Sequence, residues 1–262
     1  MQSRTEAPLV VGTVRPDGLA RLVSLPPAER GADIIEARFD LAMPAPQPSD
    51  RDPERSPGVP PDLTVHFAAC RQLEQSGSPV LGTIRLVADG GHWPVDAARL
   101  PWFERALDVV SWVDIEVESP IAAQVVAAAR ARHRRVIISH HDFARTPDGG
   151  GLDAVVARAN ALGADVVKVA TLVQGPADHD RLIDLLRRHR AARSTQAPLA
   201  LIGMGAFGTA LRSYLPCVGS RLTYGFLDQT AAPGQLPAPE LMRRLRADCP
   251  AYSDVHPVPS EA

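Results

Sequence analysis

Short apolar, β-branched runs recur along the 262-residue chain, and amphipathic stretches separate them. Leu9–Val14, Asp33–Glu36, Val80–Ile84, Val109–Val117, Arg135–Ser139, Asp165–Val169, Leu199–Ile202 and Leu222–Phe226 read as eight strands. Most are apolar at nearly every position, as strands covered on both faces are. Between them, segments such as Ile121–Arg132, Leu152–Leu162 and His179–Arg190 repeat apolar residues at helical spacing, with arginine toward solvent. Eight strand–helix alternations with no internal break predict a single (β/α)8 barrel, a TIM barrel, over residues 1–262. Pro, Ser and Asp crowd Met43–Pro61, which predicts a surface loop between the second strand and its helix. The tail, residues 250–262, is expected to be loosely held.

In such a barrel the reactive groups sit at the C-terminal ends of the strands and in the loops that follow. Polar residues collect at those places in this chain. Glu36 and Arg38 come after the second strand, Arg85 after the third, and Glu116 on the fourth. His140, His141 and Asp142 follow the fifth strand, Lys168 ends the sixth, and Arg212 and Gln235 lie beyond the seventh and eighth.

Composition sharpens one of these. Lys and Arg total 28, yet Lys168 is the only lysine. Arginine can replace lysine wherever only a positive charge is needed, but a guanidinium stays protonated and cannot attack a carbonyl. Lys168 also stands between valines in Ala164–Ala170, where burying a charge is costly, so a neutral, nucleophilic amine becomes accessible. A histidine in the loop after Val136–Ser139 suits general acid–base work, because imidazole titrates near neutral pH. No further His or carboxylate is spaced to complete a metal shell.

Other features narrow the class. A formal net charge of -2 leaves no basic surplus for a nucleic-acid partner. Cys70, Cys217 and Cys249 are too widely spaced for a zinc site or a disulfide framework, which fits a reducing cytoplasm. The polar start, Met1–Glu6, is no signal sequence, and the uncharged stretch Ser194–Leu211 is broken by three glycines, so it reads as strand plus loop and no membrane partner is expected.

Ser139-His140-His141-Asp142-Phe143, with Thr146-Pro147, resembles the signature of the type I 3-dehydroquinate dehydratases. Ala164-Asp165 with Lys168-Val169-Ala170 is similar to that family's Schiff-base segment. Glu36-Ala37-Arg38-Phe39-Asp40, Arg85 with Gly90-Gly91, Arg212, and Ala232-Pro233-Gly234-Gln235 complete the set, in order, over residues 8–246. The resemblance implies a lyase of the shikimate pathway that serves aromatic amino acid biosynthesis and dehydrates 3-dehydroquinate, its small-molecule partner, to 3-dehydroshikimate. By the same resemblance Lys168 forms the imine, His141 is the acid and base, and Asp89 stands where a glutamate orients that histidine. Arg212 and Gln235 then bind the substrate carboxylate and close over it, and Glu36, Arg38 and Arg85 hold the hydroxyls and the C3 region. It implies neither a metal nor a dissociable cofactor, a cytoplasmic location and, as the assembly, a homodimer. The chain departs from the family pattern at Asp89, at His140 in place of asparagine, at Ala231 in place of a lid serine, and in the short segment left for a hairpin under the barrel.

Three other readings stand beside this one. Gly203-Met204-Gly205-Ala206-Phe207-Gly208 has the form of a dinucleotide loop, with Asp228 at the spacing of a ribose-binding acid, but only one strand follows it. A class I aldolase, or another Schiff-base barrel acting on a different hydroxy-ketone, keeps the lysine and changes the reaction. A weakly active or non-catalytic relative would keep the fold alone.

Overall fold

The computed structural model describes residues 7–46, 61–192, 196–230 and 234–256. Eight strands alternate with helices: β1 (Leu9–Val14), β2 (Ile34–Arg38), β3 (Val80–Thr83), β4 (Trp112–Glu116), β5 (Arg135–Asp142), β6 (Val166–Leu172), β7 (Leu199–Met204) and β8 (Leu222–Phe226). The connecting helices are α1 (Leu19–Val23), α2 (Thr64–Gln75), α3 (Leu100–Leu107), α4 (Ala122–Ala131), α5 (Gly149–Ala161), α6 (Pro176–Ala191) and α7 (Leu211–Cys217), and α8 (Ala238–Asp248) with α9 (Pro250–Ser253) ends the chain. Each strand runs parallel to its neighbour in the order β7-β6-β5-β4-β3-β2-β1-β8. The seam between β7 and β8 is joined by the Arg221 amide donating to Leu199 O (2.6 Å) and the Leu201 amide donating to Ser220 Oγ (2.9 Å). The fold is the expected (β/α)8 barrel.

Side chains alternate between two hydrophobic layers, as the period of a strand requires. Val167 and Val169 of β6, Val136 and Ile138 of β5, and Val113 and Ile115 of β4 pack outward against the helices. Val166, Ala170, Ile137, Trp112 and Tyr224 pack inside the barrel. Where the strands begin, Trp112 is buried with the Arg135 guanidinium 4.9 Å from its ring centroid.

Several boundaries differ from the sequence reading. Val109 and Val110 do not belong to β4, because their amides bond back to Ala106 O and close the turn after α3. Strand β5 continues through His140, His141 and Asp142, which pair in register with Val169, Ala170 and Thr171. Lys168 therefore lies inside β6 rather than at its end. Helix α5 starts at the glycines 149–151 because the Asp148 carboxylate caps the Gly151 amide at 2.8 Å. The start of the expected loose tail is ordered: Tyr252 is fully buried, and its hydroxyl donates to Asp33 Oδ2 at 3.0 Å. Most of the predicted 43–61 loop, and residues 257–262, lie outside the described residues. No helix among the described residues is long and apolar enough to cross a membrane.

Candidate active site

Strand parity brings the chemistry together. Lys168 projects inward because Val167 and Val169 on either side face the helices. By the same alternation Asp114 and Glu116 of β4, and Ser139 and His141 of β5, share that inner face. Lys168, His141, Arg85, Arg38, Glu36, Asp89, Arg212 and Gln235 all line one cavity, which Thr13, Met204 and Tyr224 also border.

The lysine is buried and ion-paired. Its Nζ lies 3.0 Å from Asp114 Oδ2 and 4.3 Å from the Tyr224 ring centroid. Asp114 also takes Arg85 Nη2 at 2.8 Å and the Ser139 hydroxyl at 2.6 Å. Burial alone would raise the Asp114 carboxyl, but Arg85, Lys168 and Ser139 outweigh it and hold the group far below the usual carboxylate range. Arg85 is anchored on its other edge by Glu116 Oε1 at 2.7 Å, and Glu116 Oε2 takes Arg99 Nη1 at 2.7 Å. Arg99 also takes Asp96 Oδ1 at 2.6 Å, so Lys168, Arg85 and Arg99 are balanced by Asp114, Glu116 and Asp96, as buried charges must be.

His141 is neutral in this setting. Burial lowers its pKa well below the usual value, and the positive charges of Arg85 and Lys168 push the same way. Its Nδ1 is buried without a hydrogen-bond partner. Asp89 reaches the same cavity on a turn ended by Gly90 in the left-handed region (φ 78), a conformation that suits glycine. The carboxylate does not bond His141 Nδ1, however, so the orienting contact the resemblance implies is absent. Burial and the negative charges of Glu116 and Glu118 push the Asp89 carboxyl up to about 6. Phe143 stacks on His141 with ring centroids 6.1 Å apart. His140 faces the other way: its Nδ1 meets Glu118 Oε1 at 2.8 Å, which raises its pKa.

Opposite Lys168, Glu36 is fixed by two hydroxyls, Thr13 Oγ1 at 2.7 Å and Thr83 Oγ1 at 2.8 Å. Gln235 Nε2 approaches Thr13 Oγ1 at 3.4 Å. Arg38 is held side-on by Asp40 at 2.9 and 2.7 Å. Arg212 donates only Nη1, to Tyr224 O at 3.2 Å; its Nε and Nη2 are buried and unpartnered. Burial brings its pKa down to about 10, still protonated at neutral pH. Ala231 and the rest of the predicted lid, Ala232 and Pro233, lie outside the described residues.

Thr13, Asp114, Met204 and Tyr224 were not read from the sequence. Asp114 had a signal, a charge inside an otherwise apolar strand two residues before Glu116; the others look like ordinary strand residues. The glycine motif 203–208 serves packing: a Cβ on Gly208 would meet the Gly203 carbonyl carbon at 2.4 Å. That close turn follows a barrel strand, and the doubly wound sheet of a dinucleotide domain is not formed. Among the described residues, no group of three or more His, Cys, Asp or Glu is placed to hold a metal ion.

A buried amine, a neutral imidazole and an arginine edge without a partner, in one cavity, are the parts of a site that forms an imine and moves a proton beside a bound anion. Comparison with known proteins points the same way. The family model described as type I 3-dehydroquinase matches residues 9–249. A Methanosarcina acetivorans protein named 3-dehydroquinate dehydratase is 34% identical over 225 residues, covering 82% of this chain and 85% of that protein. A Methanococcoides burtonii protein of the same name is 30% identical over 246 residues, covering 92% and 94%. Among solved structures, a type I 3-dehydroquinate dehydratase from Clostridium difficile, with covalent modified comenic acid, superposes with a TM-score of 0.75 at 22% identity and 92% coverage of both chains. The Geobacillus kaustophilus 3-dehydroquinate dehydratase gives 0.74 at 24% identity, with 96% and 93% covered.

Proposed function

The chain belongs to the type I 3-dehydroquinase family, and we propose that the cavity around Lys168 is where it dehydrates 3-dehydroquinate to 3-dehydroshikimate in the shikimate pathway. The observation that carries the assignment of roles is the juxtaposition of the sole lysine with a buried, neutral histidine.

Lys168 gives a proton to His141, and the freed amine adds to the C3 ketone. One proton passes from nitrogen to the former carbonyl oxygen, giving a carbinolamine. His141 returns its proton to that hydroxyl, water leaves, and a protonated imine remains on Lys168. The imine draws electrons from C2, so His141, again neutral, removes a C2 proton and delivers it to the departing C1 hydroxyl on the same face. Hydrolysis of the imine then releases the enone product and regenerates the amine. Asp114 and the Arg85 network keep Lys168 at the right depth. The unpartnered Nε and Nη2 edge of Arg212 is the side-on fork that receives a carboxylate. Glu36, Arg38 and Arg85 border the space for the ring hydroxyls, and Gln235 covers the carboxylate end. Asp89 borders the same cavity one methylene short of the glutamate that would orient His141, whose Nδ1 stays without a partner.

The setting proposed is cytoplasmic, with no nucleic acid involved, and the assembly that goes with this reading is a homodimer; light scattering at twice the chain mass tests it. The chemical reading is tested by mixing the protein with 3-dehydroquinate, reducing with borohydride, and mapping the adduct by mass. A substrate-sized increment on the peptide that carries Lys168, together with an enone absorbance rise before reduction, is the expected result. An unmodified protein with no absorbance change rules it out.

A further inference from the structure

Among the described residues, five buried side-chain polar atoms have no hydrogen-bond partner. One is His66 Nδ1; the other four belong to His141, Arg212 and Tyr224, which line the same cavity. Buried polar groups are ordinarily satisfied, so a cluster of unsatisfied ones around a single space marks atoms held ready for a ligand. Of these, His141 Nδ1 is the atom that Asp89 falls short of and the Arg212 edge receives the carboxylate in the proposed reaction, which leaves the Tyr224 hydroxyl without an assigned partner.

Tyr224 is buried in the barrel interior, packed with Val11, Ile202 and Met204. A phenylalanine would fill that place without stranding a hydroxyl. The phenol also keeps its proton and so can donate it: burial, and then the negative charges of Asp114 and Glu36, push its pKa well above the ordinary value. Its ring centroid is 4.3 Å from Lys168 Nζ. The hydroxyl sits one bond beyond the ring edge, so an oxygen two bonds from Nζ comes within its reach. In an amine addition that oxygen is the one on the attacked carbon.

We infer that the Tyr224 hydroxyl donates a hydrogen bond to the oxygen on C3 of the substrate while Lys168 adds to that carbon, making Tyr224 a further substrate-touching residue. The inference rests on the imine reading above. As the N–C bond forms, the carbonyl π pair moves onto this oxygen, and the donor stabilises the charge gathering there. The proton that ends on the oxygen comes from nitrogen, and the second proton, which lets water leave, comes from His141. Tyr224 keeps its own proton throughout. The ring beneath Nζ meanwhile faces a nitrogen that is positive before addition and positive again in the protonated imine.

The test is Tyr224→Phe, which removes the hydroxyl and keeps the ring. A single turnover with 3-dehydroquinate is quenched with borohydride at successive times, and the fraction of reduced Lys168 peptide is followed by mass. The expected result is imine formation slowed at least about tenfold, with a melting temperature equal to or above that of the unaltered protein, because a stranded polar atom has been removed. Imine formation at the unaltered rate overturns the inference. So does a slower rate accompanied by a lower melting temperature, which marks a merely structural hydroxyl. Failure of the unaltered protein to trap any adduct is a separate outcome; it overturns the imine reading and this inference with it.

Discussion

Lys168 Nζ is 3.0 Å from Asp114 Oδ2, inside a barrel where Asp114 is fully buried. The pair is one corner of a compensated cluster, since Arg85 binds the other oxygen of the same carboxylate at 2.8 Å. Removing the negative corner leaves two cations facing each other in a low-dielectric space. Asp114→Asn is therefore expected to cost about 3–5 kcal/mol, read as a shift in the urea midpoint at unchanged slope. An unchanged midpoint would mean that Arg85 and Lys168 find other partners.

Asp89 and His141 offer a gain rather than a loss. His141 Nδ1 lacks the partner that a carboxylate one methylene longer would supply. Asp89→Glu is expected to raise kcat about fivefold to tenfold, the worth of one net hydrogen bond of about 1 kcal/mol or slightly more. Steady-state rates with 3-dehydroquinate decide it; a slower variant refutes the idea that reach is the limitation.

The pH profile carries the same carboxylate. Asp89 is pushed up to about 6, so activity that uses its anion falls as pH drops through about 6, and Asp89→Asn flattens that limb. The stability effect has the opposite sense. A carboxyl whose folded pKa exceeds its unfolded value of about 3.9 adds stability below that value and loses it as pH rises through about 6. Asp89→Asn should therefore gain on the unaltered protein between about pH 4 and 6 and hold that advantage above. A melting-temperature difference that is flat with pH would contradict it.

Arg212 holds two buried donors open on one edge. Arg212→Lys keeps the charge and loses the fork. KM for 3-dehydroquinate is expected to rise about tenfold to a hundredfold, the worth of a charge-assisted bond of about 1.5–3 kcal/mol, with a smaller change in kcat. A fall in kcat at constant KM would place Arg212 at the reacting carbons instead.

Much of this was legible in the sequence, and the reason is local. Periodicity alone separates strands from helices, so eight apolar runs alternating with amphipathic segments specify the barrel. The barrel then dictates that polar residues at strand ends share one face, which is how Glu36, Arg38, Arg85, His141, Lys168 and Arg212 could be named together. The scarcity of lysine singled out Lys168, because no arginine can do the work of a neutral amine.

Tertiary structure decided what depends on partners across the barrel. Whether a polar strand end continues its ladder is settled by the neighbour, so β5 reached Asp142 and placed His141 inside and His140 outside, on Glu118. Asp114, Thr13 and Tyr224 became site residues only because strand order and closure turn β4, β1 and β8 toward the interior that β6 also faces, a proximity that sequence spacing does not contain. The missing Asp89–His141 bond belongs to the same class. A side chain one methylene short is visible in the sequence, but whether the backbone makes up the difference is fixed by how the loop packs.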